Sequence, residues 1–284
     1  MPKDIDYLER TLLLLKQNSL LLNKEDNYII LDVTIPLSDY LTDWSKSSLK
    51  KEYFIERLEH FKEFYGSIAD ECYFNSDTTT SGVLDYLIGN LDKYTDIDNS
   101  IIIETDILFG PYTLRLLLDS SKIVREYGEE YIITPEYVKM WDNSWDVMVN
   151  DKFLNCSHNY RDVNDSILDT YHSEEPSVVP LIIENCKLFK FSGGWFTLYS
   201  KKLLESINFP RTLRGYGGFD NYVVDYCNRN FQKVTQYKIK NLIVTDKTND
   251  TKYLSSAVVS IDRRLDMQDI NNSIMTEHFR NQKK

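Results

Sequence analysis

The chain has 284 residues, of which 42% are hydrophobic and 27% are charged, values that are typical of globular proteins and argue against disorder. Its length suits one α/β domain with a C-terminal elaboration better than two full domains. The formal net charge of -11 repels phosphate backbones, so non-specific nucleic-acid binding is disfavoured. The short basic cluster Lys238-Ile239-Lys240 is interpreted as a solubility feature of the surface.

The cysteines and the hydropathy pattern bear on the compartment. Cys72, Cys156, Cys186 and Cys227 lie far apart and form neither a CxxC motif nor a zinc-binding spacing. The sequence shows no signal peptide and no apolar run near 18 residues, so we expect no membrane span. We therefore expect a reduced, cytoplasmic compartment in which the thiols are buried.

The first half of the chain alternates between helical and strand patterns. Apolar residues at helical spacing indicate helices, and short runs of β-branched residues that end at proline or acid indicate buried strands. Strands alternating with helices predict a parallel, layered α/β sheet. The expected elements are a helix at 4–23, a strand at 28–35 closed by Pro36, a helix at 48–65, a strand at 69–74, a helix at 78–93, a strand at 99–104, a helix after Pro111 and a strand at 130–134 that ends at Pro135.

The second half is less regular. Residues 142–178 are polar and are interpreted as long loops over one face, which in compact domains are often functional. The expected elements that follow are a strand at 181–184, a glycine turn at 192–194, a helix at 200–207, a second glycine turn at 215–218, a helix with Val223, Val224 and Cys227 on its apolar side, and a highly charged tail after Ser260.

Two carboxylates stand at the end of the strongest predicted strand. Glu104 and Asp106 are two residues apart, so along an extended chain they point to the same side and can converge on one hard cation. Ligands of open α/β sheets bind at the carboxyl ends of the strands. Magnesium and manganese accept carboxylate oxygens and share their other positions with water and phosphates. The alternative is an ordinary strand end, where acidic residues are common.

Two glycine turns follow in the second half. Gly193 and Gly194 permit close backbone approach to a ligand, and Trp195 could form an apolar platform for a sugar ring. The alternative is a β-turn beside a core tryptophan. The second turn leads into a helix at whose start we expect Asp220. That aspartate could cap the helix or act as a general base in a cleft.

The order of these features resembles the GT-A glycosyltransferases, most closely the family-2-like enzymes and the C-terminal region of β-1,4-galactosyltransferases. In those enzymes an Asp-x-Asp motif binds a divalent metal with the donor diphosphate. A Gly-Trp-Gly-Gly-Glu-Asp motif there supplies the acceptor contact and the catalytic base. The resemblance covers about residues 28–229. It implies an α/β GT-A fold with a mostly parallel sheet flanked by helices. The implied arrangement is an N-terminal helix at 1–26, a transferase domain at 27–260 and a charged tail at 261–284. Within the transferase domain, the resemblance implies a nucleotide-binding half at 27–140 and an acceptor half at 141–260.

The resemblance also implies roles for individual residues. Glu104 and Asp106 match the metal motif, with Asp106 as the direct ligand of Mn²⁺ or Mg²⁺, and His278 is the candidate for the late histidine ligand of the family. Asp220 matches the catalytic base. The sequence departs from the family at Phe219, where a glutamate is usual, and at Tyr216, which replaces tryptophan. The positions implied for donor and cofactor binding are Thr34, Pro36, Asp106, Gly193, Gly194, Trp195 and Gly218.

The resemblance implies transfer of a monosaccharide from a nucleotide-diphosphate sugar, UDP-linked in our expectation, to a hydroxyl of a glycan or other acceptor. With Asp220 as base, a single displacement would invert the anomeric centre. One alternative is a nucleotidyltransferase, although residues 36–40 lack the glycine-rich basic loop that such enzymes use. A second is a non-catalytic sugar-binding or scaffold protein on the same fold, which Phe219 favours. A third is a transferase that decorates DNA bases, which the acidic charge disfavours.

Overall fold

The architecture is that of a mixed α/β protein. The computed structural model describes residues 5–39, 42–77, 92–94, 96–105, 107–140, 181–186, 196–210, 213, 219–246 and 261–281. Its strands are β1 (Ile30–Pro36), β2 (Glu71–Asp77), β3 (Asn99–Ile103), β4 (Ile107–Phe109), β5 (Tyr131–Met140), β6 (Ile183–Cys186), β7 (Phe196–Ser200) and β8 (Thr235–Asp246). Its helices are α1 (Ile5–Ser19), α2 (Lys51–Tyr65), α3 (Thr113–Val124), α4 (Lys201–Ser206), α5 (Phe219–Arg229) and α6 (Ile261–Asn281).

A small sheet is formed by β1 and β2, which pair in parallel from Ile30 opposite Glu71 to Pro36 opposite Asp77. Side chains alternate along a strand, so Val33 and Ile35, which are buried in the core, share one face of β1, and the polar Asp32 and Thr34 lie on the other. The apolar face belongs to the same core cluster as Phe54, Leu58 and Phe61 of α2. The predicted strand, helix and strand of this region are therefore confirmed.

A larger sheet has the order β3-β7-β5-β8-β4, and β6 pairs with β8. The β5–β8 pairing is parallel, and the pairings of β3 with β7, β5 with β7, β4 with β8 and β6 with β8 are antiparallel. The α/β class is therefore confirmed, with parallel pairing in the small sheet and between β5 and β8 and a mixed larger sheet.

The larger sheet is covered by core residues on both faces. Ile133 and Leu198 belong to one cluster, together with residues of α1, α2 and α3. Their chain neighbours Ile132 and Tyr199 belong to a second cluster, together with residues of α4, α5 and α6. Because successive strand residues point to opposite faces, the two clusters lie on opposite sides of the sheet. The sheet is thus a middle layer between two groups of helices.

Several element boundaries differ from the sequence predictions. Strand β5 continues through Pro135 to Met140, with a register shift between Pro135 and Tyr137, because proline has no N–H and is tolerated at such irregularities. Strands β4, β7 and β8 had no predicted counterpart. The expected helix at 78–93, except for residues 92–93, the expected loops at 142–178 and both glycine turns lie outside the described residues.

The charged segment after Ser260 forms α6, a 21-residue helix rather than an irregular tail. Its residues Met275 and Phe279 are buried in the second cluster. The N-terminal helix α1 is likewise part of the core, through Leu8, Leu12 and Leu15. Among the helices that the structure describes, none is both long and apolar enough to cross a membrane.

Candidate metal and donor site

The three residues between β3 and β4, which we call the acidic connection (residues 104–106), carry the predicted metal ligands. Glu104 follows the last residue of β3 directly and is exposed, and Thr105 is half-buried. The N–H of Ile107 donates to the Glu104 carbonyl at 3.3 Å, which tightens the chain as it enters β4. Asp106 lies outside the described residues.

The register of β3 and β7 places the end of one strand beside the start of the other. Ile103, the last residue of β3, pairs with Phe196, the first residue of β7, and the two strands are antiparallel. The chain therefore leaves β3 and enters β7 at the same edge of the sheet. In the sequence, Glu104 directly follows Ile103 and Trp195 directly precedes Phe196. Gly193, Gly194 and Trp195 themselves lie outside the described residues.

Thr34 and Pro36 lie at the carboxyl end of β1, as predicted. Thr34 pairs across the small sheet with Asn75, and Pro36 pairs with Asp77. The hydroxyl oxygen of Thr34 is buried without a hydrogen-bond partner among the described residues. Since buried polar atoms are nearly always satisfied, this hydroxyl is one that a bound donor could satisfy.

Asp220 is the second residue of α5, which begins at Phe219, so its predicted place at a helix start is confirmed at the level of the backbone. Two tyrosines hold α5 against the segment at and just after the end of α4. The Tyr222 hydroxyl donates to the Asn208 carbonyl at 2.8 Å, and the Tyr226 hydroxyl donates to the Ser206 carbonyl at 3.2 Å. These two hydrogen bonds therefore attach α5 to the end of α4 and the residues just after it. The preceding Gly217 and Gly218 lie outside the described residues.

His278 lies in the last turn of α6, in a helical setting. Its ring centroid is 5.8 Å from that of Tyr222, so the imidazole packs beside α5 on the side of the second core cluster. The side chain is half-buried. Its assignment as a metal ligand stays a prediction.

The donor chemistry of the acidic connection suits a hard divalent cation. Magnesium is commonly held by one or two carboxylates, with phosphates of the substrate and water completing its coordination. Glu104 supplies one exposed carboxylate at the edge of the sheet. Within the described residues no three His, Cys, Asp or Glu side chains come together as a complete metal cage. A carboxylate in this position can contribute one ligand to a cation that a substrate diphosphate also binds.

The sequence patterns did not reveal a polar network on the exposed face of the small sheet. The hydroxyls of Tyr28 and Tyr73 both donate to the Glu71 carboxylate, the first at 2.6 Å. These bonds lower the pKa of Glu71 and raise that of Tyr73 to about 12. The Lys93 ammonium lies 3.9 Å from the centroid of the Tyr73 ring, which ties residues 92–94 to the sheet. The sequence sign of this polar face was that the polar residues Glu71 and Tyr73 stand on either side of the apolar Cys72.

Comparison with known protein families finds no family model that matches this chain, and comparison with characterised proteins finds no matching sequence. The order of motifs and the geometry of the described residues are therefore the basis for a functional proposal.

Proposed function

We propose that the protein is a metal-dependent glycosyltransferase of the GT-A type. It would move a monosaccharide from a nucleotide-diphosphate sugar, with UDP as the nucleotide, to an acceptor hydroxyl in the cytoplasm. The proposal is supported by the order of the sequence motifs, by the mixed α/β architecture and by the strand register described above.

The pairing of Ile103 with Phe196 is the observation that carries the proposal. It brings the end of β3, which Glu104 follows in sequence, and the start of β7, which the glycine motif precedes in sequence, to one edge of the sheet although the two strands are about 90 residues apart. A donor site needs both at once, because the carboxylates serve the metal and the diphosphate while the glycine and aromatic residues serve the sugar. Neither motif alone separates this function from an ordinary strand end or turn.

Glu104 and Asp106 would hold the cation, with His278 as a candidate third ligand. When bound, the metal would supply neutralisation of the charge that develops on the leaving diphosphate. Gly193, Gly194 and Trp195 would line the sugar. Thr34, Pro36 and Gly218 would lie along the rest of the donor, and the buried Thr34 hydroxyl is a hydrogen-bonding group available to it.

Asp220 would accept the proton of the acceptor hydroxyl as its oxygen attacks the anomeric carbon. That attack displaces the nucleotide diphosphate in one step and inverts the centre. By helical spacing, position 220 falls on the same side of α5 as Val223 and Cys227, both of which are buried. Tyr222 and Tyr226 fix the helix that carries it. A general base in such a position contributes roughly 10²- to 10⁴-fold to the rate.

A thermal-shift screen of nucleotide sugars with and without manganese tests donor binding. A ligand at about 100 times its Kd stabilises the native state by about 2.7 kcal/mol. For a chain of this size that corresponds to a rise in Tm of roughly 5–10 °C. We expect the preferred donor to produce this rise only when manganese is present. If no nucleotide sugar shifts Tm under either condition, the donor assignment is wrong.

Release of free UDP, measured with each candidate acceptor, tests turnover. Asp106→Ala should abolish the manganese-dependent Tm shift, and Asp220→Asn should preserve that shift while abolishing UDP release. Asp119→Ala is the matched control, because the interaction that the described residues show for this half-buried aspartate of α3 is an i,i+4 ion pair with Arg115. Normal turnover in either test variant would contradict the assigned roles. Donor binding without turnover in the wild type would favour a sugar-binding protein instead.

A further inference from the structure

The helix α1 contains two buried polar residues in an otherwise apolar face. Thr11 is 3% exposed and Asn18 is fully buried, whereas their neighbours Leu8, Leu12 and Leu15 form part of the hydrophobic core. A buried polar side chain destabilises a core unless it is hydrogen-bonded, so the partners of these two residues show what they do.

Their hydrogen-bond partners lie in or near the acidic connection and β4. The exception is one hydrogen bond within α1. The Thr11 hydroxyl donates to the Thr105 carbonyl at 2.7 Å. The Asn18 amide donates to the Gly110 carbonyl at 3.0 Å, and its oxygen accepts from the N–H of Leu114 at 2.9 Å. Each bond joins residues more than 90 positions apart. Thr11 therefore holds the chain just before β4, and Asn18 holds it just after.

The Thr11 bond acts on the peptide group between the two acidic residues. The carbonyl oxygen of Thr105 belongs to the planar unit that ends at the Cα of Asp106. An oxygen held at 2.7 Å by a residue of the core fixes the orientation of that plane. The orientation of the Thr105 carbonyl is thereby tied to α1, a helix of the core.

We propose that Thr11 and Asn18 are positioning residues that hold the acidic connection in the geometry that binds the metal. This role rests on the proposed function, because it assigns α1 to the same metal site. Side chains that orient metal ligands without touching the metal typically change its affinity by 10- to 100-fold when they are removed. The N-terminal helix is then part of the donor site.

The decisive variant is Thr11→Val, which keeps the shape of the side chain and removes its hydroxyl. Thr11→Ser keeps the hydroxyl and serves as the rescue variant. Ser120→Ala is the matched control, since Ser120 is fully buried and its hydroxyl donates to Leu116 of its own helix α3 at 2.6 Å. Two quantities are measured for each protein: amide hydrogen exchange of residues 104–110 without metal, and the Kd for Mn²⁺ from the electron paramagnetic resonance of the free ion.

For Thr11→Val we expect exchange at 104–110 to be faster by about tenfold and the Kd for Mn²⁺ to rise by about tenfold, with rescue in Thr11→Ser. Ser120→Ala should change neither quantity. Wild-type exchange rates at 104–110 in Thr11→Val would overturn the positioning role, as would a Kd for Mn²⁺ equal to that of the wild type. A wild-type protein that binds no Mn²⁺ overturns the proposed function and, with it, the metal-positioning role, whereas the exchange rates separately report whether α1 holds the connection.

Discussion

Removal of one aromatic ring from α6 tests whether this helix is an integral part of the fold. Phe279 is 7% exposed, and its ring stacks on that of Tyr222 with the centroids 4.8 Å apart and the planes inclined by 16°. The Arg229 guanidinium covers the ring at 4.3 Å. A buried phenylalanine replaced by alanine typically costs 3–5 kcal/mol, and we expect about 3 kcal/mol here because the ring lies where two helices meet. The aromatic pair accounts for about 0.5–1.5 kcal/mol of that loss.

The assay is urea denaturation of Phe279→Ala followed by circular dichroism. The matched control is Ile270→Ala, because Ile270 lies on the same helix and is 55% exposed. An exposed substitution of this kind changes the free energy of unfolding by at most about 0.5 kcal/mol. The dependence of the free energy of unfolding on urea concentration should have the same slope in both variants as in the wild type, since only stability changes. Equal and small shifts in the two variants would refute the docking of α6 against α5.

Three further predictions rest on pKa shifts. Burial, with a smaller contribution from Glu130, raises the pKa of the Cys227 thiol to about 12, so alkylation near neutral pH, mapped by mass spectrometry, should fail there until the chain unfolds. Glu71, whose folded pKa lies below 4.5, contributes stability that is present above its ordinary pKa and lost as pH falls through the lowered value. Tyr73 contributes stability that is present below its ordinary pKa of 10.0 and is lost as pH rises through its folded pKa of about 12. The midpoint of urea denaturation should therefore fall at high pH in the wild type, and should fall less in Tyr73→Phe.

The spacing of apolar residues predicted those helices and strands that bury only one face. In α2, Phe54, Leu58 and Phe61 recur at helical spacing and are all buried. Strand β8 was missed although it alternates apolar and polar residues, because Lys238 and Lys240 resembled a surface cluster. Lys240 instead pairs with Glu184 of the neighbouring strand β6 at 2.7 Å, an interaction between segments that are distant in sequence.

The boundary between β7 and α4 shows why short elements are hard to predict. Ser200 is both the last residue of β7 and the residue before α4. Its hydroxyl accepts from the N–H of Leu203, which caps the helix, and from the N–H of Tyr131 in β5. The first bond is local and could be anticipated from a serine before a helix. The second depends on a strand about 70 residues away, and no local pattern predicts it.

The candidate site was predictable only where its features are local in the sequence. A strand followed by two carboxylates is a local pattern, and Glu104 lies at the end of β3 as expected. The pairing of Ile103 with Phe196 depends on an antiparallel register between distant segments. Thr11 and Asn18 were hidden because an amphipathic helix with two polar interruptions looks like an ordinary core helix. Their role becomes visible only through the carbonyl groups that they contact.

The topology of the larger sheet requires its two terminal strands to approach each other. Strands β3 and β4 end the hydrogen-bonded path β3-β7-β5-β8-β4, so a flat sheet would separate them by four steps, about 19 Å. The chain from Ile103 to Ile107 reaches at most about 14 Å. The sheet must therefore curl, and the Phe109 ring of β4 does lie 4.8 Å from the Phe196 ring of β7. Glu104 directly follows β3 where the two edges approach, so the curl of the sheet sets where Glu104 leaves the core.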